Sequence, residues 1–109
     1  MSTRSLIARK TADGFEAVYC HNDGYPGHHL PILEKGYSTD KAVEALIAGG
    51  DMSDIGKPYP DGEAAVYVAN EEALLANAGA RWVAYIYVFV DGRWFYKHRN
   101  DSAWRVATI

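Results

Sequence analysis

The architecture follows from residues 81–99, which read RWVAYIYVFVDGRWFYKHR. The first part of this stretch, residues 81–90, is rich in β-branched and aromatic side chains, which are typical of a β-strand. The pair Asp91-Gly92 favours a two-residue turn that needs positive φ angles. Residues 93–99 are therefore expected to return antiparallel to the first strand. The sequence predicts a β-hairpin over residues 81–99.

The turn also determines which side chains share a face of this hairpin. Side chains alternate between the two faces of a strand. Six residues with rings fall on one face: Tyr85, Tyr87, Phe89, Trp94, Tyr96 and His98. Such a row can stack nucleic-acid bases when it is exposed, but Arg93, Lys97 and Arg99 lie on the other face and the net charge is −3. We therefore expect the row to be packed in the core under helices, with no direct nucleic-acid binding.

A second Asp-Gly pair predicts another hairpin nearer the N-terminus. Asp13-Gly14 separates two runs that suit β-strands, and the hairpin spans residues 5–21. With Asp13-Gly14 as the two-residue loop, Ile7 would lie opposite Cys20.

Helices are predicted between the two hairpins. The first has Pro31 in its first turn. The second is capped by Ser38 or Thr39, and the third is capped by Asn70. Two or three short helices on one face of a mainly antiparallel sheet make an α+β fold. The length of 109 residues fits a single domain over residues 1–109.

Composition indicates a globular protein of a reducing compartment. Hydrophobic residues make up 49% of the chain and charged residues 23%, which is close to globular averages and argues against disorder. Cys20 is the single cysteine, so an intrachain disulfide is excluded. No apolar run approaches the length of a membrane span, and the N-terminus leads to no secretory apolar segment. We expect a cytoplasmic protein with no membrane partner.

Acidic residues dominate the middle of the chain. Residues 11–80 hold 12 Asp and Glu residues against three lysines. A surface of one sign attracts a partner of the opposite sign, although the same pattern also suits an ordinary solvated helical layer. The candidate partner-binding residues are Asp51, Asp54, Asp61, Glu63, Glu71 and Glu72, together with Asp23 and Tyr25 of the loop over residues 22–27.

Reactive side chains gather just after the first hairpin. Cys20 and His21 are neighbours on a predicted strand, so their side chains point to opposite faces and cannot form a catalytic dyad. Cys20 is expected in the core. A metal site is an alternative reading of His21, Asp23 and His28, which have suitable donor types. His29 can replace His28 in that set, and Asp23 also suits a residue that bonds its own turn.

Four strings in the chain carry a resemblance. They are MSTRSLIA at residues 1–8, YCHNDGYP at 19–26, YST at 37–39 and LIAGGDMS at 46–53. Together they resemble a family of small proteins encoded by bacteriophages and mobile elements, which begin MSTRS, carry a YCHxDGYP loop and end in an aromatic hairpin. The resemblance implies an accessory protein that acts in the bacterial cytoplasm. It implies no activity, and no catalytic residue is carried over from it.

Three functional hypotheses follow. The first is a non-enzymatic, cofactor-free binding protein of a phage or mobile element. It would inhibit a host protein complex through its acidic surface, and a CRISPR–Cas or similar defence complex with a basic nucleic-acid groove is the expected class of partner. The second is a small metal-binding protein or metal-dependent enzyme that uses His21, Asp23 and His28. The third is a homodimer joined through the last hairpin or an edge strand, so a monomer and a homodimer both stay open.

Overall fold

The fold is known from a computed structural model that describes residues 3–107. Met1 and Ser2, which begin the MSTRS string, lie outside the described residues. The strands within the described part of the chain are β1 (Ser5–Thr11), β2 (Gly14–Cys20), β3 (Met52–Asp54), β4 (Lys57–Pro58), β5 (Val66–Val68), β6 (Tyr85–Val90), β7 (Arg93–His98) and β8 (Arg105–Val106). The helices of the same part are α1 (Pro26–Gly36), α2 (Asp40–Ala48) and α3 (Glu71–Ala80).

All of these strands belong to one sheet. Its order is β4-β3-β2-β1-β6-β7-β8, and β5 also pairs with β2. The β1–β2 and β6–β7 pairs are the two antiparallel hairpins. They are joined side by side through β1 and β6, which run parallel and place Ser5 opposite Tyr85. The predicted α+β fold with a mainly antiparallel sheet is confirmed, and the parallel pair at its centre joins strands that no local turn signal connects.

The second hairpin has the predicted register. Phe89 lies opposite Trp94, and the loop consists of Asp91 and Gly92. The φ angles of these two loop residues are 49° and 83°. Positive values at both positions match the twist of the flanking strands, which is why Asp-Gly specifies this turn.

The first hairpin has a register that differs from the predicted one. Ile7 lies opposite Val18 rather than Cys20, and the loop consists of Ala12-Asp13 rather than Asp13-Gly14. The pairing is thus displaced by two residues along β2. Because side chains alternate with a period of two, this displacement leaves every side chain on its expected face.

Gly14 explains the error in that register. It begins β2 with a φ of 152°, and a Cβ atom at this position would lie 2.0 Å from the backbone oxygen of Val68. A glycine is needed because β5 crosses close to the backbone here, not because the residue forms the turn.

Helices cover both faces of the sheet. The core under α1 and α2 contains Ile7, Val18, Cys20, Leu33, Val43, Ile47, Tyr87, Phe89 and Trp94. The core under α3 contains Leu6, Ala8, Ala17, Leu74, Ala78, Val83, Ile86 and Val88. The aromatic row is therefore in the core at three of its positions, as predicted, and two helices share the face that it forms. The prediction of helices on one face is therefore wrong for α3, which lies on the opposite face because Leu74 and Ala78 pack against the second core.

The helix starts position the residues discussed below. Thr39 and Asn70 cap α2 and α3 with their side chains, as predicted. In contrast, α1 begins at Pro26, and Pro31 lies inside the helix rather than in its first turn. A proline removes one helical hydrogen bond, and here the deprived carbonyl belongs to Gly27, which is exposed to solvent. No helix of the described residues is long and apolar enough to cross a membrane.

Candidate functional site

Asp51 was predicted as a surface contact, but the structure buries it. Its residue exposure is 6%, and its carboxylate accepts hydrogen bonds from the backbone N–H groups of Tyr19 at 2.9 Å and Glu63 at 3.0 Å. The guanidinium of Arg81 completes the set with bonds of 3.2 Å and 3.0 Å to the two carboxylate oxygens. Asp51 therefore joins β2, the backbone at Glu63 and the end of α3. It is not available to a partner.

Rings and charges surround this ion pair. Arg81 lies over the ring of Tyr19 at 5.3 Å and approaches the Glu63 carboxylate at 3.5 Å. The hydroxyl of Tyr19 is 2.7 Å from Nδ1 of His21, and the His21 ring stacks on Tyr59 at 5.1 Å. His21 is thus part of an aromatic cluster at the surface.

Trp82 was predicted in the first strand of the 81–99 hairpin, but β6 begins only at Tyr85. Trp82 instead follows Arg81 at the end of α3, and its role there was missed. It terminates α3 in a Schellman motif: its N–H bonds the carbonyl of Gly79 at 3.2 Å, and the N–H of Val83 bonds the carbonyl of Ala78 at 3.3 Å. The residue at the position of Trp82 in this motif is usually glycine, because it adopts a left-handed conformation. Trp82 has a φ of 60° and is 72% exposed. The sequence carries no signal for this role, because Gly79 is the residue that favours a helix end there and α3 continues past it.

The remaining predicted acids are placed as follows. Asp61, Glu63 and Glu72 are exposed, and the exposed Glu71 accepts a hydrogen bond from the indole of Trp104. Asp61 precedes Gly62, where a Cβ atom would lie 2.8 Å from that of Asp51, so Asp61 lies next to the buried ion pair. We call Asp61, Glu63, Arg81 and Trp82 the Trp82 surface.

The loop after the first hairpin is shorter than predicted, because α1 takes up Pro26 and Gly27. Asp23 is exposed and has a φ of 55°. Tyr25 is 46% exposed, and its ring lies 6.0 Å from that of His28. The early helix start also places His28 and His29 in the first turn of α1, which orients them toward the end of β3.

Three potential metal ligands meet at that point. One ligand atom from each of His28, His29 and Asp54 lies within 4.8 Å of the other two. Nε2 of His28 is 3.1 Å from a carboxylate oxygen of Asp54. This group shares only His28 with the predicted set of His21, Asp23 and His28.

His29 is the buried member of the group. Its exposure is 0%, and its Nε2 lies 3.0 Å from the hydroxyl of Ser5. Its Nδ1 is buried with no hydrogen-bond partner. Burial, assisted by the neighbouring His28, lowers the pKa of His29 to about 4, so the imidazole is neutral at physiological pH.

Cys20 is a core residue, as predicted. It is fully buried under α1 and α2, and its thiol lies 3.7 Å from the carbonyl oxygen of Asn22. Burial raises the pKa of the Cys20 thiol to about 12. The reactive thiolate is therefore scarce at neutral pH, which is the opposite of what a cysteine nucleophile needs.

Comparison with protein-family models, curated proteins and solved structures found no match to this chain. Function is therefore inferred from the residues that the fold brings together. Two places in the described residues combine unusual geometry with side chains that could bind a partner or an ion. They are the Trp82 surface and the group of His28, His29 and Asp54.

Proposed function

We propose that this chain is a non-enzymatic binding protein that inhibits a host protein complex by occupying it with the Trp82 surface. The observation that carries the proposal is the conformation of Trp82, which is 72% exposed and held at a φ of 60°. A bulky residue is a rare occupant of this conformation. Backbone strain of this kind concentrates at sites of function.

The left-handed conformation of Trp82 allows the two hydrogen bonds that end α3, but a glycine would form the same bonds without strain. A left-handed conformation costs a residue other than glycine about 1–2 kcal/mol. Burial of the indole could offset that cost, but the side chain is mostly in water. Tryptophan is among the residues that most often dominate binding energy when a partner covers them. Burial of the indole in a partner pocket would therefore offset the strain at Trp82.

Charge indicates the kind of partner. Arg81 is held by Asp51 and approaches Glu63, so it adds little free positive charge to the surface. Asp61 and Glu63 are exposed there. Glu63 contacts Arg81, which precedes Trp82 in the chain. Exposed carboxylates in this region suit a basic partner surface, where they speed the encounter and fix its orientation. A basic groove that normally binds nucleic acid has this character.

The biological setting of the proposal comes from the resemblance to phage and mobile-element proteins. An accessory protein of this origin acts in the bacterial cytoplasm, and its natural targets are host defence complexes, among which CRISPR–Cas systems bind nucleic acid in basic channels. The net charge of −3 favours binding to such a complex over binding to nucleic acid itself.

The decisive experiment is phage plating on bacteria that carry a defence system, with and without this chain. We expect the chain to restore plating of a targeted phage and to co-purify with the defence complex. Trp82→Gly should weaken binding about 30-fold, as loss of a hot-spot residue does. Tyr67→Ser is the matched control, because Tyr67 is 75% exposed on β5. A chain that protects phage from none of the systems tested and captures no complex would overturn the proposal.

A second pair of variants tests the acidic part of the surface. Asp61→Lys combined with Glu63→Lys should slow association and reduce its dependence on salt, because these exposed carboxylates act mainly on the encounter. Glu72→Lys, on α3, is the control. If Trp82→Gly and the Asp61/Glu63 double variant both bind as well as the unmodified chain, the contact lies elsewhere on the molecule and the proposed surface is wrong.

A further inference from the structure

We propose that His28, His29 and Asp54 form a binding site for a divalent transition-metal ion, with two imidazole nitrogens and one carboxylate oxygen as ligands. This inference is independent of the proposed inhibitory function. The three ligand atoms lie within 4.8 Å of one another. Ligands that share an ion at roughly 2.0–2.2 Å are separated by up to about 4 Å, so a small closure of the side chains completes the site.

His29 provides the strongest indication of a ligand. Its Nδ1 is buried and has no partner, and a buried polar atom without a partner is costly. Its Nε2 is engaged with the hydroxyl of Ser5, which leaves Nδ1 as the nitrogen that can bind an ion. With Nδ1 bound to a metal, Nε2–H donates to Ser5. Histidine ligands typically have such a second partner, which fixes the tautomer and the ring orientation.

The other two ligands keep the site open to solvent. The side chains of His28 and Asp54 are 27% and 24% exposed, respectively. An ion can thus enter from solvent, and water can fill its remaining coordination positions. Two histidines and one carboxylate with open positions suit first-row divalent ions such as Zn²⁺, Co²⁺ and Fe²⁺ better than Ca²⁺ or Mg²⁺, which prefer oxygen ligands.

The surrounding backbone holds both halves of the site in place. On the α1 side, the carbonyl of Gly24 accepts a hydrogen bond from the buried hydroxyl of Tyr87 at 2.6 Å. On the β3 side, the N–H groups of His21 and Asn22 bond the carbonyls of Met52 and Ser53, both at 2.9 Å. Preorganised ligands lose less entropy on binding, so this framework favours metal affinity.

The test is metal binding by the full chain, purified without an affinity tag and stripped of metal. We expect titration calorimetry to show one Zn²⁺ per chain, and Co²⁺ to give a visible absorption band from its bound ligands. His28→Gln and Asp54→Asn should each lower the affinity by at least about tenfold. Both residues are partly exposed, so circular dichroism of these variants should match that of the unmodified chain.

Two control variants distinguish this site from the set predicted by sequence. His21→Gln and Asp23→Asn should bind Zn²⁺ as tightly as the unmodified chain, because neither residue belongs to the group. In nitrogen NMR spectra, Zn²⁺ should move the Nδ1 signal of His29. The proposal is wrong if no ion binds at micromolar concentrations, if Asp54→Asn binds normally, or if the controls rather than the proposed ligands abolish binding.

Discussion

Arg81 binds Asp51 through two parallel hydrogen bonds, of 3.2 Å and 3.0 Å, between the guanidinium and the carboxylate. The pair joins the residue that follows α3 to the residue that precedes β3. It therefore anchors the chain directly before Trp82. A buried carboxylate with several donors is an organising element of the fold, and its loss leaves those donors without an acceptor.

Replacement of Asp51 should therefore lower the stability of the protein. We expect Asp51→Ala to lower the free energy of unfolding by about 3–5 kcal/mol. It removes the buried acceptor of two backbone N–H groups and leaves Arg81 with only the exposed Glu63 as an ionic partner. Urea denaturation measures this change. Asp61→Ala, at a nearby exposed position, should change stability by no more than about 0.5 kcal/mol. Equal effects of the two substitutions would contradict the role given to Asp51.

Trp82→Gly should make the isolated protein more stable. The substitution relieves the left-handed strain, worth about 1–2 kcal/mol, and removes a side chain that is 72% exposed. Thermal unfolding should therefore show a midpoint higher by several degrees, about 4–8 °C for each kcal/mol. A fall in the midpoint would mean that the indole has stabilising contacts, and the argument for a binding role would lose its basis.

Gly14 and Gly79 should respond in opposite ways to alanine. Gly14→Ala places a Cβ atom 2.0 Å from the oxygen of Val68 at a φ of 152°, so β5 must move away and stability should fall by more than about 2 kcal/mol. Gly79 lies within α3 and has nothing within 4 Å of its Cβ position, so Gly79→Ala should add about 0.5–1 kcal/mol. Denaturation midpoints of both variants provide the comparison.

Cys20 should be inert toward thiol reagents until the protein unfolds. Its pKa of about 12 keeps the thiol protonated at pH 8, and burial excludes the reagent. The rate of labelling by a disulfide reagent should rise steeply in denaturant. Between pH 7 and 9 the labelling rate of the native protein should stay far below that of a short peptide containing the same residues. Rapid native labelling would show that the cores open easily.

Light scattering should show a monomer. The outer strands of the sheet path, β4 and β8, are each two residues long, and β4 contains Lys57 and Pro58. Short strands, lysine and proline all discourage pairing with a second sheet. The mass in solution should therefore equal that of one chain at all concentrations measured. A dimer would favour the alternative of an interface through the last hairpin.

Local signals account for the elements that the sequence predicted well. Asp91-Gly92 specifies its turn through backbone conformation alone, so the register of β6 and β7 follows without further information. The side-chain caps at Thr39 and Asn70 are equally local. The same reasoning predicted the wrong loop at Gly14. A glycine is required there because β5 approaches its backbone, and this contact joins segments that are distant along the chain.

Both candidate sites depend on contacts between segments that are distant along the chain. Asp51 is buried only because Arg81 and the backbone of Tyr19 converge on it, and an acid in a charge-rich segment otherwise reads as a surface residue. The proposed metal ligands were partly recognised, through His28 and through His29 as its substitute. Asp54 was assigned to the acidic surface, since nothing in its neighbourhood along the chain indicates that β3 ends beside the first turn of α1.

The parallel pairing of Ser5 with Tyr85 has a consequence for synthesis of the protein. As the chain leaves the ribosome, the first hairpin emerges well before the strand that covers the free edge of β1, because α1, α2 and α3 lie between β2 and β6. Until β6 has been translated, that edge displays unsatisfied backbone groups beside the apolar Leu6 and Ile7. Nascent chains and C-terminally truncated products are therefore expected to require chaperones and to aggregate when these are scarce.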